Sequence, residues 1–216
     1  MRKIFGHRGL PHIYEENTFK SLNKAQEICD FVETDVRITK DEELVLYHDA
    51  EIQTQKIEEL TLSDINELID IEISDIHLVS REQIKGDTNF ELKINSKVDG
   101  LNKVFLEKII NLTNPEDIVS SFDWETILNN RKSFKSNYGI LIDKENQLFE
   151  SKAMSNLDEK LMFMVEKEIF YSRNFDLPTE RCVVWTVNDK DELDNILNMD
   201  VYGVVTDIGD LSLIHI

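Results

Sequence analysis

His7 and Arg8 stand side by side near the start of the chain, and His48 and Asp49 form a second polar pair well downstream. Between them lie Glu33 and Asp35, and Glu91 and Lys93 follow. Together these residue types suit metal-assisted phosphodiester chemistry. Glu33 and Asp35 are two apart in a segment rich in β-branched residues, so a strand projects both carboxylates from one face. Glu91 and Lys93 repeat the spacing in Asn89-Phe90-Glu91-Leu92-Lys93-Ile94. An unpaired carboxylate facing an apolar core costs several kcal/mol, so these faces must meet a cation, each other or water. Three carboxylates without nearby sulfur form an all-oxygen set that suits Mg2+ or Ca2+, with Mn2+ also admissible, rather than Zn2+. Arg8 and Lys93 would neutralise phosphoryl charge growing in the transition state. His7 and His48 would divide the proton work, with Asp49 placed to orient His48.

Groups so far apart in sequence need a scaffold that brings them to one place. Eight short apolar runs, at 3–7, 31–37, 89–94, 117–122, 138–142, 161–165, 182–187 and 202–207, alternate with amphipathic stretches. That alternation predicts a single-domain α/β protein, residues 1–216, folded as a closed (β/α)8 TIM barrel. In such a barrel the catalytic groups come from the C-terminal ends of strands, and the polar residues above fall late in their runs. Helices are predicted over 18–28, capped by Asn17 or Thr18, over 101–112 and over 189–199. A ninth run at 44–47 follows the second too closely for another stave, and is expected to be a returning strand that delivers His48. The stretch from about 40 to 88, with one helix at 62–69 opened by Thr61 or Ser63, is expected to cap the barrel mouth.

The chain has 216 residues, 43 acidic against 24 basic, and a net charge of -19. A surface of that sign repels nucleic acid and anionic bilayers, and no Lys/Arg run makes a local exception. A small molecule is therefore the expected partner, and a homodimer is compatible with the sequence. Cys29 and Cys182 read as core thiols rather than a disulfide. With neither a signal-like apolar region nor a run near the ~18 apolar residues of a membrane span, a cytoplasmic protein without a membrane anchor is expected. His12, His77 and His215 read as surface residues, and Asp41-Glu42-Glu43 and Glu58-Glu59 as solvated faces. Ser121 and Asp123 read as hydrogen-bonding residues at a strand end.

In order along the chain, His7-Arg8-Gly9, Glu16-Asn17-Thr18, Glu33-Thr34-Asp35-Val36, Lys40-Asp41, His48-Asp49, Glu91-Leu92-Lys93, Ser121-Phe122, Trp185-Thr186-Val187-Asn188 and Gly203-Val204-Val205-Thr206-Asp207 resemble the glycerophosphodiester phosphodiesterase family. The resemblance implies a TIM barrel that hydrolyses glycerophosphodiesters to glycerol 3-phosphate and an alcohol with a divalent metal. It implies His7 and His48 as general acid and base, and Glu33, Asp35 and Glu91 as metal ligands. Arg8 and Lys93 would contact phosphate and Trp185 would line the glycerol end, with Glu16, Asn17 and Asp49 in support. The family's Arg-Thr-Thr and Pro-Thr-Leu signatures are missing after Asp49, and that shortened rim bears on which alcohol leaves. Two alternatives are the same metal site acting on a lysophospholipid or phosphoinositide, and a catalytically inactive barrel that only binds a phosphodiester.

Overall fold

The computed structural model describes residues 2–94 and 100–209; His215 lies outside them. The elements run, in chain order, β1 (Lys3–His7), α1 (Phe19–Ala25), β2 (Phe31–Ile38), β3 (Leu44–Leu46), β4 (Glu51–Ile52), β5 (Gln55–Lys56), α2 (Leu62–Leu68), β6 (Asp87–Leu92), α3 (Leu101–Leu112) and β7 (Ile118–Ser121). They continue with α4 (Trp124–Asn130), β8 (Asn137–Ile142), α5 (Gln147–Met154), β9 (Leu161–Glu166), α6 (Lys167–Phe170), β10 (Cys182–Trp185), α7 (Lys190–Leu197) and β11 (Gly203–Thr206). Eight parallel strands pair in the order β1-β11-β10-β9-β8-β7-β6-β2, and β1 pairs with β2 to close the barrel. All eight predicted runs coincide with staves.

The closed sheet separates two apolar layers. Phe5, Phe31, Ile118, Leu141, Met162, Met164, Val183 and Val205 fill the interior, with the Phe5 and Phe31 rings stacked at 4.6 Å. The alternate residues of the same strands, among them Val32, Phe90, Ile140 and Val184, face the helices and pack with Leu22, Phe105, Ile109 and Leu193. A strand covered on both faces reads as a continuous apolar run, which is why these segments stood out in the sequence. Cys29 and Cys182 are buried thiols outside any disulfide, and burial pushes the Cys182 thiol up to about 12.

Local signals set the helix starts. Thr18, not Asn17, caps α1 through its hydroxyl, which accepts from Ser21 N at 3.2 Å. Thr61 and Asp64 form a reciprocal capping box at α2. Asp123 and Asp189 cap α4 and α7. β3 returns antiparallel along the far end of β2, pairing Leu46 with Val36, so the residues after it reach the barrel mouth. Within this segment Asp41 and Glu42 are exposed, as a solvated face requires, and only Glu43 departs from that reading by being half-buried. Asp41 accepts from Leu62 N at 3.0 Å, and Glu43 lies 2.7 Å from His77 Nε2. His77, expected to be a surface residue without a supporting partner, is therefore half-buried and paired.

Candidate active site

Strand parity carries the chain from core to chemistry. Phe5 points into the barrel, so His7, two residues on, points the same way one layer higher; Phe31 leads likewise to Glu33 and Asp35, and Val183 to Trp185. Register brings the layers together, because His7 lies opposite Glu33 in the β1–β2 pair and Asp35 opposite Glu91 in the β2–β6 pair. An acidic floor thus sits at the C-terminal end of the barrel above an apolar plug.

Glu33, Asp35 and Glu91 are 4 %, 1 % and 8 % exposed, and one oxygen of each lies within 4.8 Å of the others. Their environments differ sharply. Lys93 Nζ stands 2.9 Å from Asp35 Oδ1 and also pairs with Glu91. Asn17 Nδ2 donates to Asp35 Oδ2 at 2.9 Å, and Arg8 Nε lies 3.1 Å from the same oxygen as an ion pair without hydrogen-bond alignment. Burial works against ionisation of Asp35, but Lys93 and Arg8 outweigh it and hold the carboxyl below its usual range. Glu91 is raised by burial, with Lys93 opposing. Glu33 is pushed up to about 8 by burial and by the charge of Asp35. Its Oε2 accepts from Arg8 N at 3.1 Å, while its Oε1 is buried with no hydrogen-bond partner. An orphaned buried carboxylate oxygen is costly in water-free surroundings and is the donor a hard cation takes. The donor set therefore fits a divalent metal held by Glu33, Asp35 and Glu91.

His7 and His48 each have a carboxylate on Nδ1. His7 Nδ1 is 2.6 Å from Asp207 Oδ1, and its Nε2 lies 3.9 Å from Glu33 Oε2. Burial lowers the His7 pKa, but Asp207 and Glu33 overcome it and leave a net rise. Asp207 is itself held by Asn188, which donates from Nδ2 to the carboxylate and accepts from Asp207 N at 2.9 Å. His48 Nδ1 is 2.8 Å from Asp49 Oδ1. The carbonyl of His48 accepts from Arg37 Nε at 3.0 Å and from a guanidinium NH2 at 2.5 Å. His48 lines an open cleft of about 640 Å3, together with Glu16, Asn17, Tyr47 and Asp49.

Residues 7–176 match the model of the glycerophosphoryl diester phosphodiesterase family. The chain belongs to that family. It is therefore a phosphoric diester hydrolase. Among solved structures, the glycerophosphodiester phosphodiesterase of Thermotoga maritima is 27% identical with a TM-score of 0.75, over 98% of this chain and 96% of that one. An Oleispira antarctica phosphodiesterase, solved with its product sn-glycerol-3-phosphate, is 17% identical with a TM-score of 0.76, over 98% of this chain and 95% of that one, and shares the fold. An uncharacterised Mycoplasma genitalium protein is 26% identical over 90% of each chain.

Within this phosphodiesterase barrel, the residues singled out in the sequence fall into two groups. His7, Arg8, Glu16, Asn17, Glu33, Asp35, Glu91 and Lys93 form one continuous polar network. Arg8, at φ 52, reaches Glu16 Oε1 at 2.9 Å, and Asn17, at φ 54, accepts from Thr34 Oγ1 and Asp35 N. Gly9, at φ 93, lets this loop lie against α1, since a Cβ there would fall 2.6 Å from the Ser21 carbonyl carbon. His48 and Asp49 stand at the rim, half-buried and exposed; among the described residues no hydrogen bond or ion pair ties His48 to the acidic floor. Trp185 packs edge-on against the exposed Phe122 at 5.9 Å, and Lys93 Nζ lies 5.9 Å from the Phe122 centroid. Sequence reasoning placed Phe122, Asn188 and Asp207 at strand ends within the matching motifs without giving them an individual role, and passed over Arg37. For Asp207 and Asn188 a signal existed, because each is a polar residue at or just past the end of a barrel strand.

Proposed function

We propose that the protein hydrolyses glycerophosphodiesters to glycerol 3-phosphate and an alcohol, with a divalent cation, Mg2+ or Ca2+ first and Mn2+ next, held by Glu33, Asp35 and Glu91. The observation that carries this reading is the buried triad with its orphaned Glu33 oxygen, set beside a histidine oriented by Asp207. Bound there, a divalent ion supplies Lewis-acid polarisation of the phosphoryl group. The chain's own residues do the rest. Arg8 and Lys93, fixed by Glu16, Asp35 and Glu91, present positive charge to the non-bridging oxygens. His7 and His48 share the proton transfers: one accepts the proton of the attacking glycerol hydroxyl while the other delivers one to the departing alcohol oxygen, and in reversed roles they let water open the resulting cyclic phosphate to glycerol 3-phosphate. Asp207 and Asp49 hold their Nδ1 atoms, which leaves Nε2 of each ring for the substrate. Trp185 and Phe122 offer an apolar wall for the glycerol carbons.

The decisive assay is release of glycerol 3-phosphate from glycerophosphocholine and glycerophosphoethanolamine with Mg2+, Ca2+ or Mn2+, with EDTA, and with His7→Ala. Metal-dependent release that EDTA and the substitution abolish is expected. No release by wild type with any of the three ions would overturn the reading in favour of another diester or of binding without turnover.

A further inference from the structure

The barrel order places two unlike walls about the acidic floor. Trp185 on β10 and Phe122 just past β7 come from staves that are not neighbours of β1 or β2. The cleft of about 640 Å3 opens on the other side, formed by the loop after β1, the residues after β3, β4 and the end of α2. It shares Glu16, Asn17 and His48 with the site, so it is continuous with the place where a phosphodiester must lie. A volume of that size exceeds what glycerol needs, and it is the open space into which the second alcohol of a diester extends.

The lining has one sign. Glu15, Glu16, Asp49, Glu51 and Asp70 contribute carboxylates, and among the described residues no lysine or arginine lines the cleft. The guanidiniums of Arg8 and Arg37 are engaged elsewhere, Arg8 with Glu16 and Asp35, and Arg37 with the His48 carbonyl. Tyr47 stands in the field of Asp49, Glu16 and Glu15, and Leu46, Ile52, Leu68, Ile69 and Ile71 complete the walls. Carboxylates around an aromatic ring and aliphatic walls are complementary to an organic cation and hostile to a second anion.

From this we infer that the cleft selects glycerophosphodiesters whose leaving alcohol carries a positive charge, an amino or quaternary ammonium alcohol, over those with neutral polyol heads. The inference rests on the hydrolytic reading above and adds the substrate class. A panel of glycerophosphocholine, glycerophosphoethanolamine, glycerophosphoglycerol and glycerophosphoinositol tests it, with wild type and with the triple variant Glu15→Gln, Glu51→Gln, Asp70→Asn. These three side chains are exposed and lie outside the acid–base, metal and phosphate machinery. Wild type is expected to favour the two cationic heads by about tenfold or more in kcat/KM, and the variant to lose most of that ratio while retaining its rate on glycerophosphoglycerol. Equal turnover of all four diesters by wild type, or a preference that survives in the variant, overturns the inference and leaves the hydrolytic function standing. Failure of wild type to turn over any of the four with metal supplied overturns the hydrolytic reading itself, and the inference with it.

Discussion

Two residues carry opposite electrostatic problems. The His7 ring depends on Asp207 to fix its tautomer and to overcome burial. Asp207→Asn keeps the shape but removes the charge, so kcat is expected to fall by about 10^2-fold or more, as when the carboxylate partner of a catalytic histidine is neutralised. The same change removes the interaction that raises the His7 pKa, so the limb of the pH–rate profile reporting His7 moves to lower pH; a limb that stays put would show that His7 does not titrate in that step. Glu33 has the reverse problem, a carboxyl pushed up to about 8 with one oxygen unpartnered. Because this folded-state value exceeds the ordinary 4.5, the folded protein without metal holds the extra proton, and its stability falls as pH rises from about 4.5 to about 8. A divalent ion needs the carboxylate, so binding at pH 7 is expected to release close to one proton, with release falling to about half a proton near pH 8, fading over the next one to two pH units, and absent in Glu33→Gln. Calorimetry in two buffers of different ionisation enthalpy reads that proton directly, and identical heats in both would count against Glu33 as a ligand.

At the scale of elements, the staves and the acidic floor were legible because both obey period two. Phe31, Glu33 and Asp35 share one face whatever the rest of the chain does, and a stave buried on both sides writes a continuous apolar run. What parity does not encode is which loops fold back. Arg37 sits on β2 among the floor residues, yet its guanidinium turns to the His48 carbonyl, a contact made only because β3 returns along β2. His77 was misread for the same reason: its partner Glu43 is brought to it by that return, with Val45 bridging to His77. Asp207 and Asn188 meet because β10 and β11 are neighbours, which only the barrel order reveals. Arg37→Met should therefore leave the acidic floor in place but free the His48 backbone, lowering kcat by roughly tenfold to a hundredfold through misplacement of His48, the group proposed for proton transfer. Affinity for glycerol 3-phosphate should change little; a matching loss of product affinity would mean that Arg37 supports the floor and not His48. By contrast Thr61→Ala removes the capping box of α2, remote from the floor, and is expected to cost about 1 kcal/mol in denaturant unfolding with kcat unchanged.

Over the whole molecule, a chain of net charge -19 is assigned a substrate whose reacting group is an anion. In the proposed reading the conflict is resolved locally, since Arg8 and Lys93 are partly offset by Glu16, Asp35 and Glu91, and a divalent ion on the acidic floor would complete the positive balance at the phosphate. At long range the surplus of acidic groups still governs encounter. A diester with a neutral second alcohol approaches as a net anion and is repelled, whereas one with a cationic alcohol approaches as a zwitterion and feels little net force. Raising ionic strength from about 0.01 M to about 0.15 M shortens the screening length from about 30 Å to about 8 Å, which removes the long-range repulsion and leaves the contacts inside the cleft largely intact. With metal saturating, kcat/KM for glycerophosphoglycerol is therefore expected to rise severalfold across that range while that for glycerophosphocholine stays nearly flat. Steady-state rates at a series of salt concentrations decide the point. A fall with salt for glycerophosphoglycerol would mean that the metal, Arg8 and Lys93 dominate the field an incoming anion feels, and that the acidic surface acts only at the rim.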